Sequence, residues 1–126
     1  MEIGFRHKGD FSNSTKFLTK MVKAIDQMNL DKYGQEGVAA LASATPKDTG
    51  LAASSWYYQI ERKKGSIIIR YCNSDIENGV PIAVILQYGH ATKNGGWVEG
   101  RDYINPAIQP IFDEIAQNAW KEVTTL

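Results

Sequence analysis

The stretch from Asn105 to Val123 constrains this chain more than any other. Ile108, Ile111, Phe112, Ile115, Ala116, Ala119, Trp120 and Val123 recur at steps of three and four, which sets them along one face of a helix. A helix with one apolar face must bury it against a second layer, so the rest of the chain has to supply that layer. Asn105 is the expected N-cap and Pro106 suits the first helical position. Pro110 lacks an amide and crowds a carbonyl, which predicts either a distorted first turn or a regular helix beginning only near Pro110. If Trp120 is fully buried on this face, its truncation to alanine is expected to cost about 3–5 kcal/mol.

A second apolar period follows the polar cluster Ser12-Asn13-Ser14. Leu18, Met21, Val22, Ile25 and Met28 alternate with Lys16, Lys20 and Lys23, the pattern of an amphipathic helix. Asn29 can interrupt or recap it. Leu30, Tyr33, Val38, Leu41 and Ala42 carry a helical period to Thr45, where Pro46 disfavours α geometry in the residue before it. Gly34 and Gly37 each cost about 1 kcal/mol against alanine inside a helix, and close packing of a neighbouring backbone is the expected reason for them.

Beyond the Pro46-Lys47-Asp48-Thr49-Gly50 bend the period changes. Trp56 to Ile60 and Ile67 to Cys72, separated by Lys63-Lys64-Gly65, predict two antiparallel strands around a glycine turn. Ile82 to Tyr88 predicts a third strand, with a short helix as the alternative. Gly89 to Arg101 carries four glycines and predicts a long loop or open hairpin. The expected fold is α+β in one domain over residues 1–126. Its antiparallel sheet of three to four strands is packed by an N-terminal helical segment and a C-terminal helix, with a long loop near residues 89–101.

Composition narrows the function classes. The 126 residues are 43% hydrophobic and 22% charged, enough apolar material for a core. Fourteen basic and fourteen acidic residues leave no net charge, which argues against a general nucleic-acid coat or a binder of anionic membranes. Met1 to His7 lacks the charged-then-apolar order of a secretion signal, and Val80 to Leu86 is far shorter than the roughly 20 residues that cross a bilayer. Cys72 is the single cysteine, which fits a reducing compartment and provides neither an internal disulfide nor a zinc site.

No nucleophile elbow, phosphate loop, dinucleotide fingerprint or HExxH motif occurs, so no cofactor, metal or catalytic residue is expected. The enzymatic alternative is a small hydrolase using His90 as base, oriented by Asp48 or Asp102. A DNA-binding accessory protein is the other alternative, stacking bases on Trp56 and Tyr58 beside Arg62, Lys63 and Lys64. Cys72 reads as a small apolar strand residue. Trp97 stands out, because an indole among glycines must be covered by folding back or by a partner.

Three patches carry a resemblance. Thr45-Pro46-Lys47-Asp48-Thr49-Gly50-Leu51-Ala52-Ala53-Ser54, then Ile82-Ala83-Val84-Ile85-Leu86-Gln87-Tyr88-Gly89-His90, then Tyr103-Ile104-Asn105-Pro106-Ala107 are similar, in order and spacing, to the head-to-tail joining family of tailed phages. These are neck, tail-completion or minor tail proteins. The similarity spans roughly Leu30 to Val123. Ile82 stands where the family favours tyrosine, Gln87 where it favours glutamate and His90 where it favours threonine. Ala52 or Ala53 replaces an arginine often found after the turn.

The resemblance implies a structural virion protein at the head–tail interface, assembled in the host cytoplasm as a six-fold or twelve-fold ring. Other neck and tail proteins adjoin it, and DNA passes through its lumen without specific binding. A ring requires two different surfaces of the protomer to meet. The expected contact groups are His90, Lys93, Trp97 and Val98 in the long loop, Arg62, Lys63 and Lys64 at the hairpin tip, and exposed sheet edges. Pro46, Asp48, Thr49, Gly50, Gly89, Asn105 and Pro106 are expected to shape the turns of the frame, with Gly50 supplying a positive φ and Gly89 ending a strand.

Overall fold

A computed structural model describes residues 2–6, 15–47 and 50–124. In chain order the elements are β1 (Glu2–Arg6), α1 (Thr15–Asp26), α2 (Leu30–Ala44), α3 (Leu51–Ser54), β2 (Trp56–Lys63) and β3 (Ser66–Asn73). They continue with β4 (Ile76–Glu77), β5 (Val80–Pro81), α4 (Ile82–Tyr88), β6 (His90–Ala91), β7 (Trp97–Val98) and α5 (Ile104–Thr124). The fold is α+β. Its principal sheet is antiparallel, three-stranded and ordered β1-β3-β2. Strands β2 and β3 pair from Trp56↔Asn73 to Lys63↔Ser66 around the Lys64-Gly65 turn, where Gly65 has φ 74°.

The period of two along β3 decides which face is covered. Ile67, Ile69 and Tyr71 are buried against α1, α2 and α5, while Ser66, Ile68 and Arg70 on the other face keep partial exposure. Full burial of each large aliphatic side chain is worth about 1.5–3 kcal/mol. Tyr71 binds the layers together: its hydroxyl donates to the Tyr33 carbonyl at 2.7 Å, and its ring meets that of Phe112 at a centroid distance of 6.3 Å. Asn29 caps α2 by accepting from the Lys32 amide, and Thr45 before Pro46 is extended, so α2 stops where Pro46 demands.

The third strand is β1, not Ile82 to Tyr88. Strand β1 pairs with β3 from Glu2↔Cys72 to Arg6↔Ile68. The 82–88 segment is helical because Ala83 and Gln87, four residues apart, share its buried side, and the Gly89 amide closes the last turn on the Ile85 carbonyl at 2.8 Å. Gly89, at φ 87°, therefore ends a helix rather than a strand.

Three expectations for the last helix also change. Helix α5 begins at Ile104, so Asn105 and Pro106 lie inside its first turn and Asn105 is not the cap. Pro106 fits there because first-turn amides have no intrahelical acceptor. Pro110 sits within the continuous helix, and the carbonyl it deprives belongs to the exposed Pro106. The buried stripe is Ile108, Ile111, Ile115 and Ala119; Trp120, one residue and about 100° further round, is 55% exposed.

Candidate partner-contact site

The three patches that carry the resemblance meet in one place. The first leaves α2 at Thr45, whose hydroxyl donates to the Leu41 carbonyl and accepts from Trp56 Nε1 at 2.8 Å. Gly50, at φ 83°, then turns the chain into α3, the conformation that its missing Cβ allows. Asp48 and Thr49 lie outside the described residues. The Asn73 side chain at the end of β3 donates to the Ala52 carbonyl at 2.8 Å, which ties α3 to the sheet.

The second and third patches are joined by Gln87. Its buried carboxamide oxygen accepts the amides of Tyr103 and Ile104, both at 3.0 Å, and its Nε2 donates to Asp102 Oδ1 at 2.8 Å. Gln87 thus satisfies amides at the start of α5, the task expected of Asn105. The Asn105 side chain instead donates to Asp102 Oδ1 at 3.1 Å. Tyr103 completes the joint: its hydroxyl donates to the Ala83 carbonyl at 2.8 Å, and burial pushes its pKa up to about 12. The Arg101 guanidinium donates to the Ala44 carbonyl at 3.1 Å, linking this joint to the end of α2.

Gly89 and Gly100 clamp the base of the small β6–β7 hairpin. A Cβ on Gly100 would strike the backbone of Gln87, Tyr88 and Gly89, and one on Gly89 would meet the Val98 carbonyl and the Trp97 ring. The predicted long loop is thus a hairpin held at its root, with Ala91 opposite Trp97 and His90 opposite Val98. Trp97 is 59% exposed, with Val98 and Tyr88 also exposed and Lys93 in the exposed turn. This is the exposed indole that the sequence singles out.

His90 occupies the root, not the tip. It lines a cleft of about 250 Å³ between α3, the β4–β5 hairpin and α4, together with Asp75, Glu77, Ala52 and Ile85. Its Nδ1 is buried and has no hydrogen-bond partner among the described residues. Asp102 Oδ1 is held by Gln87 and Asn105, so the His90–Asp102 pairing of the hydrolase alternative is not formed.

Arg62, Lys63 and Lys64 lie at the far end of the β2–β3 hairpin from this joint. Arg62 pairs with Asp26 at 3.1 Å and Lys63 with Glu61 at 2.8 Å. Hydrogen bonds from Lys63, then from Arg70, hold the Glu61 carboxyl below its usual range. Lys64 is exposed, with no ion-pair partner among the described residues. Trp56, proposed for base stacking, is buried with its indole N–H committed to Thr45, and Tyr58 donates to Asp31 at 2.8 Å.

Sequence reasoning missed Gln87 and Tyr103 as the joint, because their partners lie 15 to 20 residues away across an irregular segment. The signal available was a polar residue, Gln87, directly after the apolar run 82–86. Compared with protein-family models, curated proteins and solved structures, the chain matches none.

Proposed function

We propose that this chain is a structural subunit of a ring at the head–tail interface of a tailed phage, acting in neck or tail completion. The ring is six-fold or twelve-fold, contacts other neck and tail proteins and lets the genome pass without specific binding. It takes its place in the virion after assembly in the host cytoplasm. One observation carries the reading: of three patches that resemble the joining family, spread from Thr45 to Ala107, the second and third are hydrogen-bonded to each other through Gln87 and Tyr103, and the first packs against the second through α3 and α4. A chance likeness of three short motifs gives no reason for them to converge.

The joint also bears what a subunit interface needs. Its clamped hairpin presents Trp97, Val98 and Tyr88 to solvent, and aromatic residues of this kind form the energetic centres of protein interfaces. The net charge of zero suits a passage through which DNA slides, since a strongly basic wall would retain it. In a ring, the hairpin surface of one subunit meets a different surface of the next.

Electron microscopy of the purified protein tests this, combined with antibody labelling of phage particles. Rings in solution and label at the head–tail junction are the expected result. Protein that stays solitary at every concentration and is missing from particles would overturn it.

A further inference from the structure

We propose that the acidic cleft beside α4 is the receptor for the Lys63-Lys64-Gly65 tip of a second copy, with the Lys64 ammonium seated against Asp75 and Glu77. The inference deepens the ring reading by naming its joint, and rests on that reading only for closure into a circle.

The cleft has the features of an unfilled contact. Among the described residues its lining includes two carboxylates, one of them on the buried residue Asp75, and no lysine or arginine. The His90 Nδ1 within it lacks a partner among the described residues. A buried polar atom without a partner is costly, and an incoming polar group or bridging water relieves that cost. Ile82, Ile85 and Leu86 give the cleft an apolar wall, and Leu51, Ile76 and Val80 on the elements that form it are exposed. A lysine or arginine side chain suits such a place, since its aliphatic stem covers apolar surface while its head reaches the carboxylates.

The tip has the complementary form. Three cations follow one another, of which Arg62 and Lys63 have partners on their own chain and Lys64 has none among the described residues. Open space surrounds Gly65, so the turn projects from the body.

Placement on opposite ends makes the contact intermolecular. The tip precedes Ser66 and the cleft begins just past Asn73, so the eight residues of β3 separate them by about 23 Å. No chain reaches its own cleft. A tip meeting the cleft of the next copy is a head-to-tail contact between unlike surfaces, the kind that generates a ring when its rotation closes.

Lys64→Glu and Glu77→Lys test the contact, because both positions are exposed and outside the core. Sedimentation velocity on the full chain should show self-association weakened at least about tenfold by either reversal, restored in the double variant, and reduced by salt. Melting curves matching the parent confirm that each variant folds. A second measurement mixes Lys64→Cys protein with Glu77→Cys protein, each carrying Cys72→Ser, under mild oxidation. A disulfide between the two is expected. Rings that form undisturbed by both reversals, with no disulfide, would overturn the tip-in-cleft contact and leave the ring reading standing. A disulfide formed between copies that never close into rings would uphold the contact and count against the ring. A solitary parent chain with no disulfide overturns both.

Discussion

Gly37 of α2 lies directly under the phenol ring of Tyr71 on β3, so close that a methyl group in its place would overlap the ring. Tyr71 has no room to yield, being fully buried with its hydroxyl bonded to the Tyr33 carbonyl. Gly37→Ala gains about 1 kcal/mol of helix propensity, but overpacking a fixed ring costs more, and the expected outcome is a net loss of about 1–3 kcal/mol. Gly34 faces the Tyr58 ring in the same way, yet Tyr58 is only half-buried and its hydroxyl bond to Asp31 is at the surface. Gly34→Ala should therefore be closer to neutral. Urea denaturation of the two variants measures the difference, and equal losses would contradict it.

Gln87 connects two patches by accepting the amides of Tyr103 and Ile104, and its Nε2 donates to Asp102 beside them. Gln87→Ala leaves two amides at the start of α5 without their acceptor and should destabilise by about 1–3 kcal/mol. Gln87→Glu keeps an acceptor at a helix N-terminus, where negative charge is welcome. It also loses the donor to Asp102 and sets a second carboxylate beside the first. Pairing Gln87→Glu with Asp102→Asn should recover most of the loss. A double-mutant cycle with no coupling would show that the two side chains act independently.

Much of this frame was legible from local chemistry. Asn29 caps α2 with its own side chain, while Pro46 and Gly50 act through their own backbone, and each does what its residue type requires. The glycines at 34 and 37 also signalled close packing, although the neighbours proved to be tyrosine rings rather than backbone. What failed depended on partners distant in sequence. Strand β1 exists through pairing with β3, more than sixty residues on, and its five residues offer little period of their own. Ile82 to Tyr88 is short and rich in β-branched residues, so propensity favoured a strand, and burial of Ala83 and Gln87 decided for a helix. At the contact surface, the exposure of Trp97 could be anticipated from its glycine neighbours. The placement of His90 in the cleft could not, since nothing in sequence places Asp75 beside it.

Ile115 and Trp120 divide α5 between the interior and the surface. Ile115 is fully buried at the centre of the stripe, so Ile115→Ala should cost about 2–5 kcal/mol from lost contacts and the cavity left behind. Trp120→Ala should cost no more than about 1 kcal/mol, because more than half of that residue is already in water. Thermal or urea unfolding of the two variants checks the ordering, which a reading of α5 by hydrophobicity alone would reverse.

Trp97 should behave as a contact residue and not as a core residue. Trp97→Ala is expected to leave the melting temperature within a few degrees of the parent while weakening self-association. In the parent, association should shift tryptophan emission to shorter wavelength as the indole leaves water, and the variant should lack that component. A large fall in stability with no change in association would mean that the ring serves the hairpin's own fold.

Alkaline pH should unfold this protein through two buried tyrosines. Burial raises the Tyr103 hydroxyl to about 12 and drives Tyr71 in the same direction, with the charge of Glu36 and then Tyr58 adding to it. In the unfolded chain both titrate near the ordinary tyrosine value of about 10. Above that pH the unfolded state releases protons that the folded state retains, so stability falls as pH rises. Each tyrosine contributes a slope of about 1.4 kcal/mol per pH unit until its folded-state pKa is reached. Below about pH 10 neither residue contributes a slope. Tyr103→Phe loses the hydroxyl bond to Ala83 and should lower stability at neutral pH by about 1 kcal/mol. It should also remove one tyrosine's share of the slope between about pH 10 and 12, so that variant and parent converge there. Denaturation midpoints at pH 8, 10 and 11 measure this, and parallel curves for the two proteins would show that Tyr103 ionises as freely in the fold as outside it.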